Sequence, residues 1–498
     1  MIVFFVAAVF AYHKKKSVLV QSIVEKSVLF FGIFAMGLGI SLLIKWIPQN
    51  WFGELTRVAI GLFLSFIFGW NSSIIINKFV IVTKNIYSKE GIRSCGYGAV
   101  IFCLWMIQLI IQLPEEITKW VECWYAVDYS MGLGSRFLIG SILSLFYDGF
   151  MDRRIAYVFC VVSLVFLIAL CSFMLGKLLN KTKYKAAVAL LVAYLWASPA
   201  SLASYWNVKN FGRLEVYTLL ISLVCVSIFL KLRKKWMKYG VLCLGAIICN
   251  AIYQGYVFLY FPILFIVIVC EAYKNEFKKR DLLGGFAVLV SACISFLFFQ
   301  FGTSIVFETQ AEFEAAIAAK SNVHISSGAI MCEMFMGISE VFELLIVPFI
   351  TGDDFPREIF AITMILLTPI VVTGIALYMK CFENFKIKEK NVFKNPYFWC
   401  AVCQLAILPQ FLLNIDWGRW VISIVSVFFF GVLYMVYIEM EEMNHAIALL
   451  EEFLKKYYFV AMTIVLYFTL FTKFTEHGLR NQLYIIINNA VKVVGTLL

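Results

Sequence analysis

The sequence predicts an all-α, polytopic transmembrane helical bundle, in which residues 1–498 form a single integral membrane domain. Two observations carry this prediction. Of the 498 residues, 62% are hydrophobic and 15% are charged, whereas an ordinary soluble protein carries about 25% charged residues. Apolar runs of roughly 17–25 residues recur along the chain, and each is long enough to cross a bilayer core of about 30 Å as a helix.

The apolar runs amount to about 13–14 predicted spans. They are 1–12, 28–46, 58–82, 95–113, 154–176, 186–203, 214–231, 239–254, 255–271, 283–302, 357–379, 397–413, 419–438 and 457–473. Basic residues follow the first run instead of preceding it, which argues against a secretory signal peptide and favours a short span or a membrane-embedded end.

The basic residues predict the orientation. When alternate connections are placed on opposite sides of the membrane, 28 of the 42 Lys and Arg residues fall on one side and 14 on the other. Basic loops face the cytoplasm, so the first side is predicted to be cytoplasmic. Because these charges report orientation, they give no reason to expect nucleic acid as a partner. The segment 439–456 has amphipathic helical spacing and is predicted to lie on the cytoplasmic surface.

The acidic residues and the long connections collect on the opposite, outer side. Six of the seven aspartates fall there: Asp128, Asp148, Asp152, Asp353, Asp354 and Asp416. The two longest connections, 114–153 and 303–356, are also outer. Ionisable groups near membrane depth are costly and are therefore enriched at functional sites, so the chemistry is expected on this face.

The first outer connection contains the stretch DYSMGLGSRFLIG, from Asp128 to Gly140. Asp128 is a candidate general base or metal ligand, and Arg136 is a candidate clamp for a phosphate. The alternative is a structural ion pair that ties the loop to the bundle. The glycines permit a tight turn and close helix packing, and the apolar piece 137–146 is too short to span, which predicts an interfacial or re-entrant helix. Asp148 and Asp152, four residues apart, are predicted to share a helix face.

Three groups of polar and aromatic residues at the outer ends of predicted spans are candidates for substrate binding. They are Trp206, Lys209 and Arg213; Asn250, Tyr253 and Gln254; and Trp417 with Trp420. The first group could hold a sugar ring and a phosphate, or could anchor the protein at the interface. The second group suits sugar hydroxyls, and could equally satisfy neighbouring helices.

The segment DWGRW, 416–420, places Asp416 and Arg419 at the outer junction of two predicted spans. Their spacing of three residues allows an ion pair across one helical turn. Tryptophans at a bilayer interface need no function, but a carboxylate, a guanidinium and two indoles together suit an anionic lipid-linked sugar. Asp416 and Arg419 therefore join Asp128 and Arg136 as candidate catalytic residues.

The sequence does not identify a cofactor, and a divalent cation is left open. Asp353 and Asp354 could bind one through oxygen ligands, although a turn before Pro356 explains them without a metal. Cys400 and Cys403 lie in an apolar run, which indicates packing more than metal or redox chemistry. A disulfide between two outer cysteines, Cys123 and Cys332, is a further alternative.

Three of these motifs carry a resemblance to known proteins: the DYxxGxxxRxLxG pattern at 128–140, the YQGYVFLYFP hairpin at 253–262 and the DWGRW segment at 416–420. Together they resemble polytopic proteins of bacterial surface-polysaccharide clusters and, more broadly, the GT-C glycosyltransferase superfamily and O-antigen-polymerase-like proteins. The resemblance implies a GT-C-like bundle in the bacterial cytoplasmic membrane and a donor on a polyprenyl phosphate or pyrophosphate. It also implies an essential acidic residue in an early outer loop, which matches Asp128.

The expected function is therefore that of an integral-membrane glycosyltransferase or polysaccharide polymerase. A polyprenyl-phosphate-linked sugar would be the donor and a glycan the acceptor, with the lipid bilayer and other polysaccharide-assembly proteins as partners. Asp128 would activate the acceptor hydroxyl or hold a cation, while Arg136 and Arg419 would neutralise the leaving phosphate. The alternative is a transporter or flippase of lipid-linked oligosaccharide, which should carry polar groups at the bilayer midplane.

Overall fold

The computed structural model describes residues 89–207, 209–351, 367–388, 391–413, 415–457, 472–474 and 479–481. The predicted spans 1–12, 28–46 and 58–82 lie outside the described residues, as do most of 457–473 and the first part of 357–379. The chain divides into two compact units, one formed by residues 1–93 and 142–151 and the other by residues 94–141 and 152–498. The contacts described below lie within the second unit.

The described part of the chain is mostly helical. Its longer helices are α1 (Lys89–Gln112), α2 (Arg153–Lys181), α3 (Lys185–Ala197), α4 (Glu215–Lys231), α5 (Lys235–Ile252), α6 (Phe261–Lys274), α7 (Lys279–Phe301), α8 (Gln310–Lys320), α9 (Thr368–Lys388), α10 (Trp417–Tyr437) and α11 (Glu441–Lys456). Shorter helices are Lys119–Glu122, Phe137–Leu143, Tyr256–Leu259, Ser327–Ile330, Ile338–Val341, Val347–Thr351, Pro396–Val402 and Leu408–Leu413. Two-residue strands β1 (Gly132–Leu133) and β2 (Ser304–Ile305) pair antiparallel, as do β3 (Thr472–Phe474) and β4 (Leu479–Asn481).

Five segments of the described chain are long and apolar enough to cross a membrane, and they coincide with five of the predicted spans. They are Cys95–Gln112, Arg153–Lys181, Lys185–Trp206, Lys279–Phe301 and Trp417–Tyr437. These segments differ in how far the rest of the protein buries them: 78% of the apolar window of α10 is buried, but only 22% of that of α7. Helix α10 therefore packs inside its unit, whereas α7 presents most of its apolar surface outward.

Two predicted spans are interrupted by proline. The run 255–271 divides into the short helix Tyr256–Leu259 and α6, in which Pro262 occupies the first turn. The run 397–413 divides into two short helices joined by a 3₁₀ turn at Cys403–Ile407, with Pro409 at the start of the second. Proline has no backbone N–H to donate to the preceding turn, so a continuous helix across it would lose a hydrogen bond.

The two long connections that are predicted to be outer, 114–153 and 303–356, are called the outer connections below, and they are fastened to each other. Strand β1 places Gly132 opposite Ile305 of β2. Gly132 has φ +135, a backbone conformation that residues other than glycine rarely adopt. Nearby, His324 Nδ1 lies 2.5 Å from Glu122 Oε2. These contacts hold the first connection against the second at the place where the candidate site forms.

Gly140 provides the close packing that the glycines of the first connection predict. It lies in the helix Phe137–Leu143, which continues as a 3₁₀ turn to Phe146, and a Cβ at this position would lie 2.0 Å from the carbonyl oxygen of Val127. We expect Gly140→Ala to destabilise the protein by about 1–3 kcal/mol, because the backbone must move to admit the methyl group. Thermal unfolding in detergent measures this effect.

Gly240→Ala is the matched control for that substitution. Gly240 lies within α5 and a Cβ there meets nothing within 4 Å. The control should unfold at the wild-type midpoint or slightly above it, because alanine favours a helix over glycine by up to about 1 kcal/mol. Equal midpoints for the two variants would show that the backbone around Gly140 yields freely.

The prediction that Asp148 and Asp152 share a helix face is wrong. Residues 147–152 are not helical, and Gly149 adopts φ +74. Asp152 precedes α2 and its side chain accepts a hydrogen bond of 2.9 Å from the backbone N–H of Arg154. Aspartate is a preferred residue at a helix N-terminus because it satisfies an otherwise unpaired N–H, so this spacing marks a boundary and not a shared face.

The predicted amphipathic segment 439–456 forms α11. Two of its acidic residues, Glu442 and Glu451, are buried. Glu451 Oε2 accepts a hydrogen bond of 2.8 Å from the N–H of Ala187 in the first turn of α3, and Glu442 Oε2 accepts one of 3.0 Å from Tyr397 Oη. These carboxylates therefore fasten α11 to neighbouring elements.

Candidate functional site

A cavity of about 590 Å³ lies where the two outer connections meet the ends of long helices. The first residue of α4, the last turns of α7 and the first turn of α10 contribute to its walls, together with residues that directly follow α5. Its charged lining consists of Arg136, Lys209, Arg213, Glu215, Glu333, Asp416 and Arg419. The volume falls in the range of about 300–1,000 Å³ that is typical of small-molecule sites.

Arg419 is held between two carboxylates. Its guanidinium donates through one nitrogen to Glu215 and through another to Asp416, and each of the three side chains is no more than 10% exposed. The Asp416–Arg419 pair across one turn arises because Asp416 immediately precedes α10 and its carbonyl accepts a hydrogen bond of 3.0 Å from the N–H of Arg419. The guanidinium carbon lies 4.9 Å from the ring centroid of Trp420.

Arg136 reaches the cavity through an unusual backbone conformation. Its φ is +74, which is uncommon for residues other than glycine. The N–H of Arg136 donates to the carbonyl of Ala251 at 3.1 Å, and Ser135 Oγ donates to the carbonyl of Asn250 at 3.1 Å. The loop is thus fastened to the last turn of α5, which explains how the strained conformation is retained.

The guanidinium of Arg136 is arranged for binding an anion. Its carbon lies 5.2 Å from the ring centroid of Trp124 and 4.9 Å from that of Tyr253, and one terminal nitrogen contacts Glu333 Oε1 at 2.7 Å. Its buried Nε atom has no hydrogen-bond partner among the described residues. Two aromatic faces therefore orient a planar donor whose bonding capacity is only partly used.

One wall of the cavity is aromatic. Phe258, Phe296, Phe301 and Phe342 line the cavity, and so do the amide residues Gln254, Gln300 and Gln410. Phe301 lines the cavity and yet is 68% exposed. The cavity therefore opens beside the outward apolar surface of α7.

Asp128 does not line the cavity. It accepts hydrogen bonds from the backbone N–H of Ser130 at 2.8 Å and from the Ser130 hydroxyl at 2.5 Å. Lys320 Nζ lies 3.1 Å from its Oδ2, so the carboxylate forms an ion pair that ties the two outer connections together. Burial opposes ionisation of Asp128, but the hydrogen bonds from Ser130 and Lys320 outweigh it and hold the pKa below the usual 3.8.

The lowered pKa of Asp128 makes part of the stability dependent on pH. Because the folded-state pKa lies below that of the unfolded chain, the contribution is present above about pH 4 and is lost as the pH falls through the folded-state value. We expect the difference in unfolding free energy between wild type and Asp128→Asn to shrink on acidification below about pH 4. Lys320→Gln should flatten the same profile, and a difference that stays constant down to pH 2 would contradict the ion pair.

No protein-family model, curated protein or solved structure matches this chain. The candidate site is therefore interpreted from its own residues. Seven of the twelve predicted site residues line the cavity: Arg136, Lys209, Arg213, Tyr253, Gln254, Asp416 and Arg419. Of the four predicted catalytic residues, three thus share one cavity and Asp128 lies apart from it.

The other four predicted site residues do not line the cavity. Trp206 and Trp420 are fully buried, and Trp417 Nε1 donates to the carbonyl of Phe411 at 3.1 Å. Asn250 Nδ2 donates to the carbonyl of Ala292 at 3.0 Å and to Ser295 Oγ at 2.7 Å. Asn250 therefore joins α5 to α7, which is the structural alternative that the sequence left open for this residue.

Three side chains that line the cavity were not among the twelve predicted site residues: Glu215, Glu333 and Trp124. Glu215 is separated from Arg419 by 204 residues, so no spacing links them. Glu333 is one of many acidic residues in the connection 303–356. The one local signal came from Glu215, a glutamate at the first position of an apolar helix, where the helix dipole stabilises a carboxylate.

Metal and disulfide chemistry receive no geometric support from the described residues. Among them, no group of three or more His, Cys, Asp or Glu side chains is arranged to hold a metal ion. Asp353 and Asp354 lie outside the described residues. Cys123 and Cys332 are both free thiols, so the disulfide alternative is wrong for this pair.

Proposed function

We propose that this chain is a multi-pass protein of the bacterial cytoplasmic membrane, a GT-C-like polytopic bundle of about 13–14 spans. The five apolar helices support a membrane location. The outward apolar surface of α7 suits contact with lipid, because water would not solvate it. The excess of basic residues in alternate connections supports placing the cavity on the extracytoplasmic side.

The cavity best suits transfer of a sugar from a polyprenyl-phosphate-linked donor to a cell-surface glycan. The observation that carries this proposal is one cavity that combines four cationic side chains with an aromatic wall. Arginine binds phosphate through paired N–H groups, while amides and aromatic faces suit a sugar. The apolar surface of α7 beside Phe301 gives the prenyl chain a path into the bilayer.

The proposed reaction is a single displacement at the anomeric carbon of the donor. The acceptor hydroxyl forms the new C–O bond while the bond to the phosphate oxygen breaks, and the electron pair leaves with the phosphate. Glu333 accepts the hydroxyl proton, because at 19% exposure it is the most accessible carboxylate on the cavity, against 10% for Asp416 and 3% for Glu215. Arg136 and Arg419 stabilise the departing charge.

Substrate binding would also free the proposed base. Arg136 forms an ion pair with Glu333. A donor phosphate at Arg136 competes for the same guanidinium and weakens that ion pair. Glu333 then turns from a partner of Arg136 into an acceptor for the proton of the attacking hydroxyl.

Reconstitution of the full chain with labelled polyprenyl-phosphate sugars tests the proposal. Wild type should form new glycosidic bonds on an added glycan acceptor outside the vesicle. Movement of the lipid-linked sugar between leaflets without a new glycosidic bond would overturn the proposal and identify a flippase. Donor lipids that differ only in the anionic linkage should show that a neutral carrier is a poor substrate.

Arg136→Gln should lower transfer by about 10²–10³-fold, since the leaving phosphate loses a pre-oriented cation. Arg154→Gln is the matched control, because Arg154 is exposed and does not line the cavity. The measurement is the initial rate of glycan extension per folded protein. Equal rates for the two variants would remove Arg136 from the mechanism.

A further inference from the structure

We propose that a second site, in a cleft between α2, α4, α6 and α10, binds an anionic phospholipid of the cytoplasmic leaflet. The cleft has a volume of about 190 Å³. It involves the C-terminal halves of α4 and α10, whose first residues line or adjoin the sugar-transfer cavity. The two sites thus lie at opposite ends of the same helices.

The walls of the cleft are hydrocarbon. Leucine, isoleucine, valine, methionine and phenylalanine side chains make up most of the lining, and Ser227 satisfies its hydroxyl within its own helix by donating to the carbonyl of Leu223 at 2.8 Å. Because the apolar part of the cleft offers no other hydrogen-bonding group, an ordered water molecule there would lack polar partners. It suits one end of an acyl chain.

Two lysines, Lys177 and Lys231, line the cleft. Lys231 is the last residue of α4, and Lys177 lies four residues before the end of α2. Both side chains are exposed, and neither forms a salt bridge with a described residue. Lys231 is the charged group whose electrostatic repulsion Lys177 experiences most strongly.

The two ammonium groups suit an anion and the apolar lining suits a hydrocarbon chain, and an anionic phospholipid supplies both. Its phosphate removes the repulsion between the two ammonium groups, while its acyl chain occupies the apolar cleft. Tyr434 and Tyr437 complete the lining, and tyrosine is typical of the membrane–water interface. Both lysines lie near the helix ends that the basic-residue distribution predicts to be cytoplasmic, and anionic lipids attract basic residues on that side. A soluble anion would leave the cleft empty, so the lipid is the better occupant.

The inference rests on the membrane location in the proposed function and not on sugar transfer. Its test is native mass spectrometry of the full chain purified in detergent, titrated with phosphatidylglycerol or with phosphatidylcholine. Wild type should retain phosphatidylglycerol at least tenfold more tightly than phosphatidylcholine. Lys177→Gln/Lys231→Gln should lose about thirtyfold in affinity, as expected for two lysine contacts with an anionic lipid.

Two further variants separate this site from general surface charge. Lys278→Gln/Lys279→Gln removes two exposed lysines of the same face that do not line the cleft, and it should retain phosphatidylglycerol as wild type does. Ser227→Phe keeps both lysines but fills the cleft, and it should lose phosphatidylglycerol. Three results would each overturn the proposal. Lys177→Gln/Lys231→Gln could retain phosphatidylglycerol as wild type does, or Lys278→Gln/Lys279→Gln could lose as much affinity as Lys177→Gln/Lys231→Gln. The third is undiminished retention by Ser227→Phe. None of these readouts depends on transferase activity, so failure here is distinct from failure of the proposed function.

Discussion

Arg419→Met is expected to destabilise the protein by about 3–5 kcal/mol, because removing one partner of a buried ion pair leaves an uncompensated charge. The side chains of Glu215 and Asp416 are 3% and 10% exposed, and both accept hydrogen bonds from the same guanidinium. Methionine retains much of the side-chain volume, so the expected loss is electrostatic and not a cavity effect. Denaturant unfolding in detergent measures it.

Two comparisons make the Arg419 result specific. Lys380→Met removes one partner of the exposed Lys380–Glu383 pair, 49% and 57% exposed, and should cost no more than about 1 kcal/mol. Adding Glu215→Gln and Asp416→Asn to Arg419→Met should recover part of the lost stability, because neutral amides need no counter-charge. If Arg419→Met unfolded at the wild-type midpoint, the carboxylates would have to be solvated.

Glu333→Gln is expected to lower the rate of sugar transfer at saturating donor by about 10²–10⁴-fold, the usual contribution of a positioned general base. Glutamine keeps the size of the side chain but cannot accept the proton. Donor binding should be equal or tighter, because Arg136 no longer has to leave a carboxylate to reach the phosphate. The measurements are single-turnover transfer and donor-lipid binding in the same vesicles.

Glu343→Gln is the matched control for Glu333→Gln. It lies in the same outer connection, is exposed, and does not line the cavity. Its transfer rate should equal that of wild type. A Glu333→Gln protein that transfers sugar normally would leave the proton to another carboxylate, and the proposed chemistry would have to be reassigned to Asp416 or Glu215.

The helices were predictable where the signal is local. The runs at 154–176 and 283–302 became α2 and α7, since the length and apolarity of a continuous stretch decide whether it forms a helix that avoids water. The interruptions within 255–271 and 397–413 also have local causes in Pro262 and Pro409, but hydropathy averages over them. Asp148 and Asp152 show the limit of spacing, because both lie in the non-helical stretch that precedes α2.

The candidate site was predictable only in part. Arg136, Asp416 and Arg419 stood out as charges in an apolar chain, and they line the same cavity. Asp128 stood out for the same reason, yet its carboxylate forms an ion pair with Lys320, 192 residues away. A charged residue in an apolar chain is expected to have a partner. The sequence does not distinguish whether that partner is a substrate or another side chain.

By itself the sequence determined the apolar helices and the short list of charged candidates, and it predicted the side of the membrane that carries the acidic residues, because composition, run length and charge distribution are properties of the chain alone. The tertiary structure alone decided which candidates meet. It placed Glu215 against Arg419, Glu333 against Arg136 and Lys320 against Asp128. Such pairs join distant segments through packing and electrostatics, so no spacing along the chain encodes them.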